Sequence, residues 1–157
     1  DTSYVLKWGI ESTHSYFSKH FFAILGNGTL EYLTSNDSVI ILSQTCGTSC
    51  SYFVILPMNG HEPLLYYHPQ ALDLNRNLIA YSPTKYDEDI FLIVENYLTG
   101  KQTLLKENNL CPGVFKGDCI EACFFEGSEL ILKWQGSQWD GNNQKDIQIK
   151  RILINDA

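Results

Sequence analysis

The sequence predicts an all-β fold, and three observations carry that prediction. Apolar residues recur with a period of two rather than 3.6, in short runs rich in Val, Ile, Leu, Phe and Tyr. Turn residues separate the runs: Gly26-Asn27-Gly28, Asn59-Gly60, Thr99-Gly100, Glu126-Gly127-Ser128 and Gly141-Asn142-Asn143. Gly and Asn adopt positive φ at little cost, which is what such turns require. No segment shows a sustained helical stripe with caps at both ends. The nearest, residues 11–22, reads as strand or loop.

Taken in order, the predicted strands cover residues 4–10, 15–25, 29–34, 39–43, 52–57, 64–67, 78–81, 90–95, 102–105, 119–125, 130–134 and 147–154. Lined up, they repeat. One unit runs from Asp37-Ser38-Val39-Ile40-Ile41-Leu42 through Tyr52-Phe53-Val54-Ile55-Leu56-Pro57 to Pro63-Leu64-Leu65. The next runs from Arg76-Asn77-Leu78-Ile79-Ala80-Tyr81 through Ile90-Phe91-Leu92-Ile93-Val94-Glu95 to Thr103-Leu104-Leu105. The offsets are close to 40, aligning Val39 with Leu78, Phe53 with Phe91 and Leu64 with Leu104. A looser third copy holds Ser128-Glu129-Leu130-Ile131-Leu132-Lys133 and Asp146-Ile147-Gln148-Ile149-Lys150. A period of about 40 residues with about four strands per unit is the mark of propeller blades. Four such blades would use all 157 residues, yet the first 30 or so do not match the unit. The expectation is a single domain, 1–157, with units at about 29–67, 68–107 and 115–157. Its architecture would be an incomplete or open propeller-like stack of about three small antiparallel sheets, or a distorted sandwich.

Composition narrows the class. With 44% apolar, 13% aromatic and 18% charged residues, the chain reads as a folded globular one. Eleven basic against 18 acidic residues give 11 − 18 = −7 and no basic stripe. Nucleic acid and anionic membrane surfaces are therefore excluded as expected partners, and a basic partner is favoured. No apolar run reaches the ~18 residues that a membrane-spanning helix needs.

Five cysteines occur, an odd number. Close thiolates can hold zinc, but neither Cys46-Gly-Thr-Ser-Cys50 nor the 111–119 loop has C-x-x-C spacing. Disulfides Cys46–Cys50 and Cys111–Cys119 are the favoured reading, in an oxidising compartment, with Cys111–Cys123 as the alternative to the second. Cys119 and Cys123 share one predicted strand, where they lie about 13 Å apart and cannot bond. Cys123, set among apolar residues, is expected to be buried and inert. A chain that begins at Asp1 suits an exported protein freed of its signal peptide. The sequons Asn27-Gly28-Thr29 and Asn36-Asp37-Ser38 matter only on a eukaryotic secretory route.

No catalytic signature is found. His14, His20, His61 and His68 lack ligand spacing, there is no G-x-S-x-G, and Gly26-Asn27-Gly28-Thr29 lacks the Lys of a phosphate loop. No catalytic residue, metal or cofactor is assigned. Two loops hold the candidate binding residues instead. The first carries Ser82, Thr84, Lys85, Tyr86, Asp87, Glu88 and Asp89; the second carries Ser137, Gln138, Trp139 and Asp140. They occupy equivalent places in successive units, and the Cys46–Cys50 loop holds that place in the first. Lined along one rim, they would offer aromatic anchors, hydroxyls and negative charge, the ingredients of a protein-binding hot spot.

These features resemble the periplasmic immunity proteins that neutralise type VI secretion peptidoglycan amidases. The likeness lies in residues 77–105 and in Gln148-Ile149-Lys150-Arg151-Ile152-Leu153, about half the chain, and rests on pattern. In that family a hairpin loop of a propeller-like unit inserts small hydroxyl residues into the amidase's Cys/His site. The resemblance implies that residues 82–89 are that loop here, with Ser82 and Thr84 as its hydroxyls, although this loop is richer in acid and contains Pro83. The expected function is toxin immunity: an exported, periplasmic, non-enzymatic inhibitor of a secreted peptidoglycan amidase or another, basic, cell-wall hydrolase. Two alternatives stand beside it. One is a carbohydrate-binding or adhesion module that stacks sugars on Trp139 and Tyr86. The other is a glycan hydrolase using Asp87, Asp89 or Asp140 as paired acids.

Overall fold

A computed structural model of the chain describes residues 3–10, 15–22, 29–47, 50–83, 90–106, 120–135 and 147–155. All regular structure among them is β, with no helix. Strands β1 (Ser3–Ile10) and β2 (Ser15–Phe22) form a hairpin. Strands β3 (Glu31–Ser35), β4 (Val39–Gly47), β5 (Cys50–Pro57) and β6 (Leu64–Tyr67) form a four-stranded sheet in chain order. So do β7 (Pro69–Asp73), β8 (Leu78–Tyr81), β9 (Ile90–Asn96) and β10 (Lys101–Lys106). Strands β11 (Ile120–Glu126), β12 (Glu129–Gln135) and β13 (Ile147–Leu153) make a three-stranded sheet. These four small antiparallel sheets are open, none closing into a barrel.

The repeat is visible in the hydrogen-bond register. The pairs Val39↔Pro57, Ile40↔Leu56, Ile41↔Ile55 and Leu42↔Val54 recur 39 residues later as Leu78↔Asn96, Ile79↔Glu95, Ala80↔Val94 and Tyr81↔Ile93. The third sheet repeats them as Glu129↔Leu153, Leu130↔Ile152, Ile131↔Arg151 and Leu132↔Lys150. One backbone bond recurs with them. The residue after the third strand donates to the residue before the second: Met58 N–H to the Ser38 carbonyl at 2.8 Å, Tyr97 to Asn77 at 2.9 Å and Ile154 to Ser128 at 2.9 Å. The offset of 39 places Phe53 opposite Leu92 in the repeat rather than Phe91. Matching aromatic to aromatic in the sequence slips the copies by one residue, which exchanges the two faces of the strand.

The first strand of each of the three repeating sheets carries a bulge, where Leu33, Gln70 and Glu121 are skipped in the pairing. Bulges raise local twist and end regular pairing. Side-chain amides and carboxylates build the tight turns. Asn36 Oδ1 accepts from the N–H groups of Ser38 and Val39, Asp73 Oδ1 from those of Asn75 and Arg76, and Asn96 Oδ1 from those of Leu98 and Thr99. Strand β7 is absent from the sequence prediction because Pro69 reads as a breaker. It is an edge strand and Pro69 is its first residue, where a missing N–H is tolerated.

The chain divides into two compact units, Asp1–Tyr66 and Tyr67–Ala157. In the first, Val39, Ile41, Tyr52, Val54, Ile55 and Leu56 are buried, so the central strand β5 is covered on both faces. The β1–β2 hairpin adds Trp8, buried, whose indole N–H donates to the Pro57 carbonyl at 3.0 Å. The Trp8 and Phe17 rings lie 5.9 Å apart and tilted by 41°. In the second unit one core joins two sheets: Ala71, Leu78, Ala80, Phe91, Leu92, Val94 and Leu105 from one, and Leu130, Leu132, Trp134 and Ile154 from the other.

Candidate functional site

Each repeat is held at one end by the recurring backbone bond, and at the other end the chain turns from second strand to third. That turn takes residues 48–49 in the first sheet, 82–89 in the second and 136–146 in the third. Counted from the shared register, 11 residues separate Leu42 from Val54, 11 separate Tyr81 from Ile93 and 17 separate Leu132 from Lys150. Pairing runs on to Gly47↔Cys50 in the first sheet and to Gln135↔Ile147 in the third, and ends at Tyr81↔Ile93 among the described residues of the second. A constant frame with a variable tip is the arrangement in which loops carry function. Of the sequence candidates, Thr84, Lys85, Tyr86, Asp87, Glu88, Asp89, Ser137, Gln138, Trp139 and Asp140 lie outside the described residues, as do Cys111, Cys119 and the side chain of Cys46. Cys50 is disulfide-bonded.

Ser82 is described, and its setting differs from the sequence expectation. It is buried, its N–H donates to the His68 carbonyl at 3.1 Å, and its Oγ accepts from Gln70 Nε2 at 3.4 Å. Gln70 also donates to the His68 carbonyl at 3.3 Å, and His68 sits at φ 48°. The hydroxyl read as offered to a partner therefore belongs to the loop's base. Sequence reasoning missed this because Gln70, twelve residues earlier, reaches Ser82 only through the bulge in β7.

One residue further in, three strands are tied by a polar cluster. The Tyr81 hydroxyl donates to Glu95 Oε2 at 2.8 Å, and Gln102 Nε2 donates to the same oxygen at 2.6 Å and to the Tyr81 oxygen at 3.2 Å. Burial, then the hydrogen bond to Glu95 and its charge, push the Tyr81 phenol well above its ordinary range. Tyr81 thus keeps its proton and acts as a strap across β8, β9 and β10. In the first sheet the place equivalent to Tyr81 is held by Leu42, and nearer the turn the Tyr52 hydroxyl donates to Gln44 Oε1, both residues buried.

The opposite end of the second unit holds a pocket of about 520 Å³, lined by Leu72, Asp73, Leu74, Asn75, Arg76, Phe125 and Gly127. Arg76 Nε is bound to Asp73 Oδ2 at 2.7 Å, and its guanidinium lies over the Phe125 ring at 5.3 Å. Nη1 and Nη2 are sealed from solvent without an acceptor. A half-buried pair with its guanidinium over an aromatic ring locks the β7–β8 turn against the other sheet, which is a structural role. Arg76 and Phe125 are 49 positions apart (125 − 76 = 49), so no local pattern announces them.

Among the described residues no cluster of three His, Cys, Asp or Glu could hold a metal ion. Cys123 is a free thiol facing the core beside Ile120 and Phe125, and burial pushes its pKa up to about 12. Only a thiolate attacks, so this group is inert at neutral pH. Iodoacetamide at pH 8 should alkylate Cys123 at least about 100-fold more slowly in the native protein than in urea, read by peptide mass spectrometry. Equal rates would contradict its placement. Comparison of the chain with family models, with curated proteins and with solved structures gives no match.

Proposed function

We propose that the protein is a periplasmic inhibitor that binds a secreted cell-wall hydrolase with the hairpin loops 82–89 and 136–146, conferring immunity to it. The observation that carries this reading is that equivalent strands in one shared register are joined by eight residues in the second sheet and eleven in the third, where the first sheet's strands pair on to Gly47↔Cys50 and leave two. Rigid strands and the Tyr81–Glu95–Gln102 strap hold the base of the middle loop, which lowers the ordering cost of binding. That loop carries Tyr86 among Asp87, Glu88 and Asp89, and the third loop carries Trp139 beside Asp140. Aromatic anchors with negative charge suit a basic enzyme, and a net charge of −7 would speed the encounter. With Ser82 held at the base, Thr84 becomes the hydroxyl of that loop to enter the enzyme's site. The reading assigns no catalysis, metal or cofactor to the chain.

The test is titration of a peptidoglycan amidase encoded next to this protein. Hydrolysis should stop at one-to-one stoichiometry, with a complex visible by size-exclusion chromatography. Full hydrolysis with excess inhibitor and no complex would refute the proposal.

A further inference from the structure

The repeat also shows what the third sheet lacks. In the second sheet one face carries Leu78, Ala80, Leu92 and Val94, and the core joins it to Leu130, Leu132, Trp134 and Ile154 of the third. The shared register makes Glu129, Ile131, Ile149 and Arg151 the equivalent face of the third sheet. Phe124 and Leu153 lie on that face too, through the pairs Phe124↔Ile131 and Glu129↔Leu153. In the second sheet this face is sealed by the sheet that follows, whereas in the third it is open. Phe124 is 41%, Ile149 61% and Leu153 61% exposed. A stack of repeats stays single when its last unit turns a polar face outward, and the last sheet here turns an apolar one.

We infer that this face packs on the same face of a second copy of the chain, about a two-fold axis that crosses the strands at the row of Ile131. The arrangement of charge selects that occupant. Lys133 and Ile149 form one row of the face, Ile131 and Arg151 the next, and Glu129 and Leu153 the third. The axis reverses the order of the rows. Lys133 therefore meets Glu129 of the second copy and Ile149 meets its Leu153, each contact occurring twice, as an isologous interface requires. Arg151 meets its own equivalent, but its charge is already held by Glu126 and Glu129 at 2.9 and 3.0 Å. An axis along the strands would instead set Lys133 against Lys133, and like charges directly opposite are destabilising. Lys133 and Arg151 balance Glu126 and Glu129 on this face, while the whole chain carries −7. Two copies thus meet where their mutual repulsion is least. Three strands about 4.8 Å apart and seven residues long at about 3.4 Å each give a face of about 14 by 24 Å. Two such faces bury less than the roughly 1,200 Å² of the smaller stable interfaces, so the pair forms only on concentration. This face is separate from the hairpin loops, and its test needs no hydrolase.

Sedimentation velocity on the whole protein should show monomer at about 5 µM and a growing fraction of dimer towards about 500 µM. Ile149→Lys, at an exposed position, should abolish the dimer while leaving the melting temperature of the dilute protein unchanged. Lys133→Glu and Glu129→Lys should each weaken self-association about tenfold or more. Mixed one to one, these two variants should associate as tightly as the parent, because their altered charges oppose each other across the axis. A monomer at every concentration, or a dimer that Ile149→Lys leaves intact, would overturn the proposal. So would charge variants that dimerise like the parent, or a mixture that associates no more tightly than either variant alone.

Discussion

Leu92→Ala should lower the unfolding free energy of the second unit by about 2–5 kcal/mol. Leu92 is 0% exposed and sits in the core that joins strands β8, β9 and β10 to Leu130, Leu132 and Trp134 of the next sheet. Removing its side chain loses the transfer free energy of the buried methyl groups. It also leaves a cavity that β-sheet walls, fixed by their ladders, fill poorly. For a cooperative unit of this size, each kcal/mol is worth about 4–8 °C, so the melting temperature should fall by ten degrees or more. Thermal unfolding followed by circular dichroism reads it directly. Ile149→Ala, the equivalent position on exposed β13, should change stability by no more than about 0.5 kcal/mol. Similar losses at the two positions would contradict the assignment of the repeat.

Gly60→Ala should cost about 2–5 kcal/mol, from two sources that can be separated. Gly60 sits at φ +81°, and a Cβ there would come within 2.4 Å of Phe17 Cε1. The left-handed backbone costs an Ala roughly 1–2 kcal/mol, and forcing the Phe17 ring away costs about 1–3 more. That ring cannot swing freely, because it leans on Trp8, which is bonded to the Pro57 carbonyl. Gly100 provides the comparison: φ is +73°, but a Cβ there meets nothing within 4 Å. Gly100→Ala should therefore show only the backbone cost, about 1 kcal/mol. In a Phe17→Ala background the extra penalty at Gly60 should disappear. Equal effects at Gly60 and Gly100 would mean that the β1–β2 hairpin does not pack on this turn.

The class was legible because alternation of apolar and polar residues survives in nearly every strand. Each predicted strand has a counterpart, from Ile40-Ile41-Leu42 in β4 to Ile147-Gln148-Ile149 in β13. The repeat was legible to within one residue. What displaced it was Phe91, whose identity matches Phe53 although its register matches Tyr52. Long-range partners were not legible at all. Ser82 precedes Pro83 and reads as a loop tip, yet Gln70 pulls its hydroxyl inward through a bulge that alternation cannot reveal. The Tyr81–Glu95–Gln102 strap joins residues that look unremarkable singly, because its meaning lies in three strands being adjacent. The exposure of β13 was not legible either. Ile149 lies in a predicted strand and stands 61% exposed, whereas its equivalent Leu92 packs in the core with Leu130, Leu132 and Trp134.

The central claim is that the sheets are a frame and the long hairpin loops are the instrument. Replacing residues 84–89 by Gly-Ser-Gly-Ser-Gly-Ser tests it most directly, since this removes the loop's side chains while keeping Ser82 and the spacing that sets Tyr81 against Ile93. The altered protein should unfold within about 1 kcal/mol of the parent, because the strands and the loop's base are untouched. Titrated against a cell-wall hydrolase that the parent inhibits, the altered protein should leave hydrolysis uninhibited and form no complex. Retention of one-to-one inhibition by the altered protein would contradict the claim.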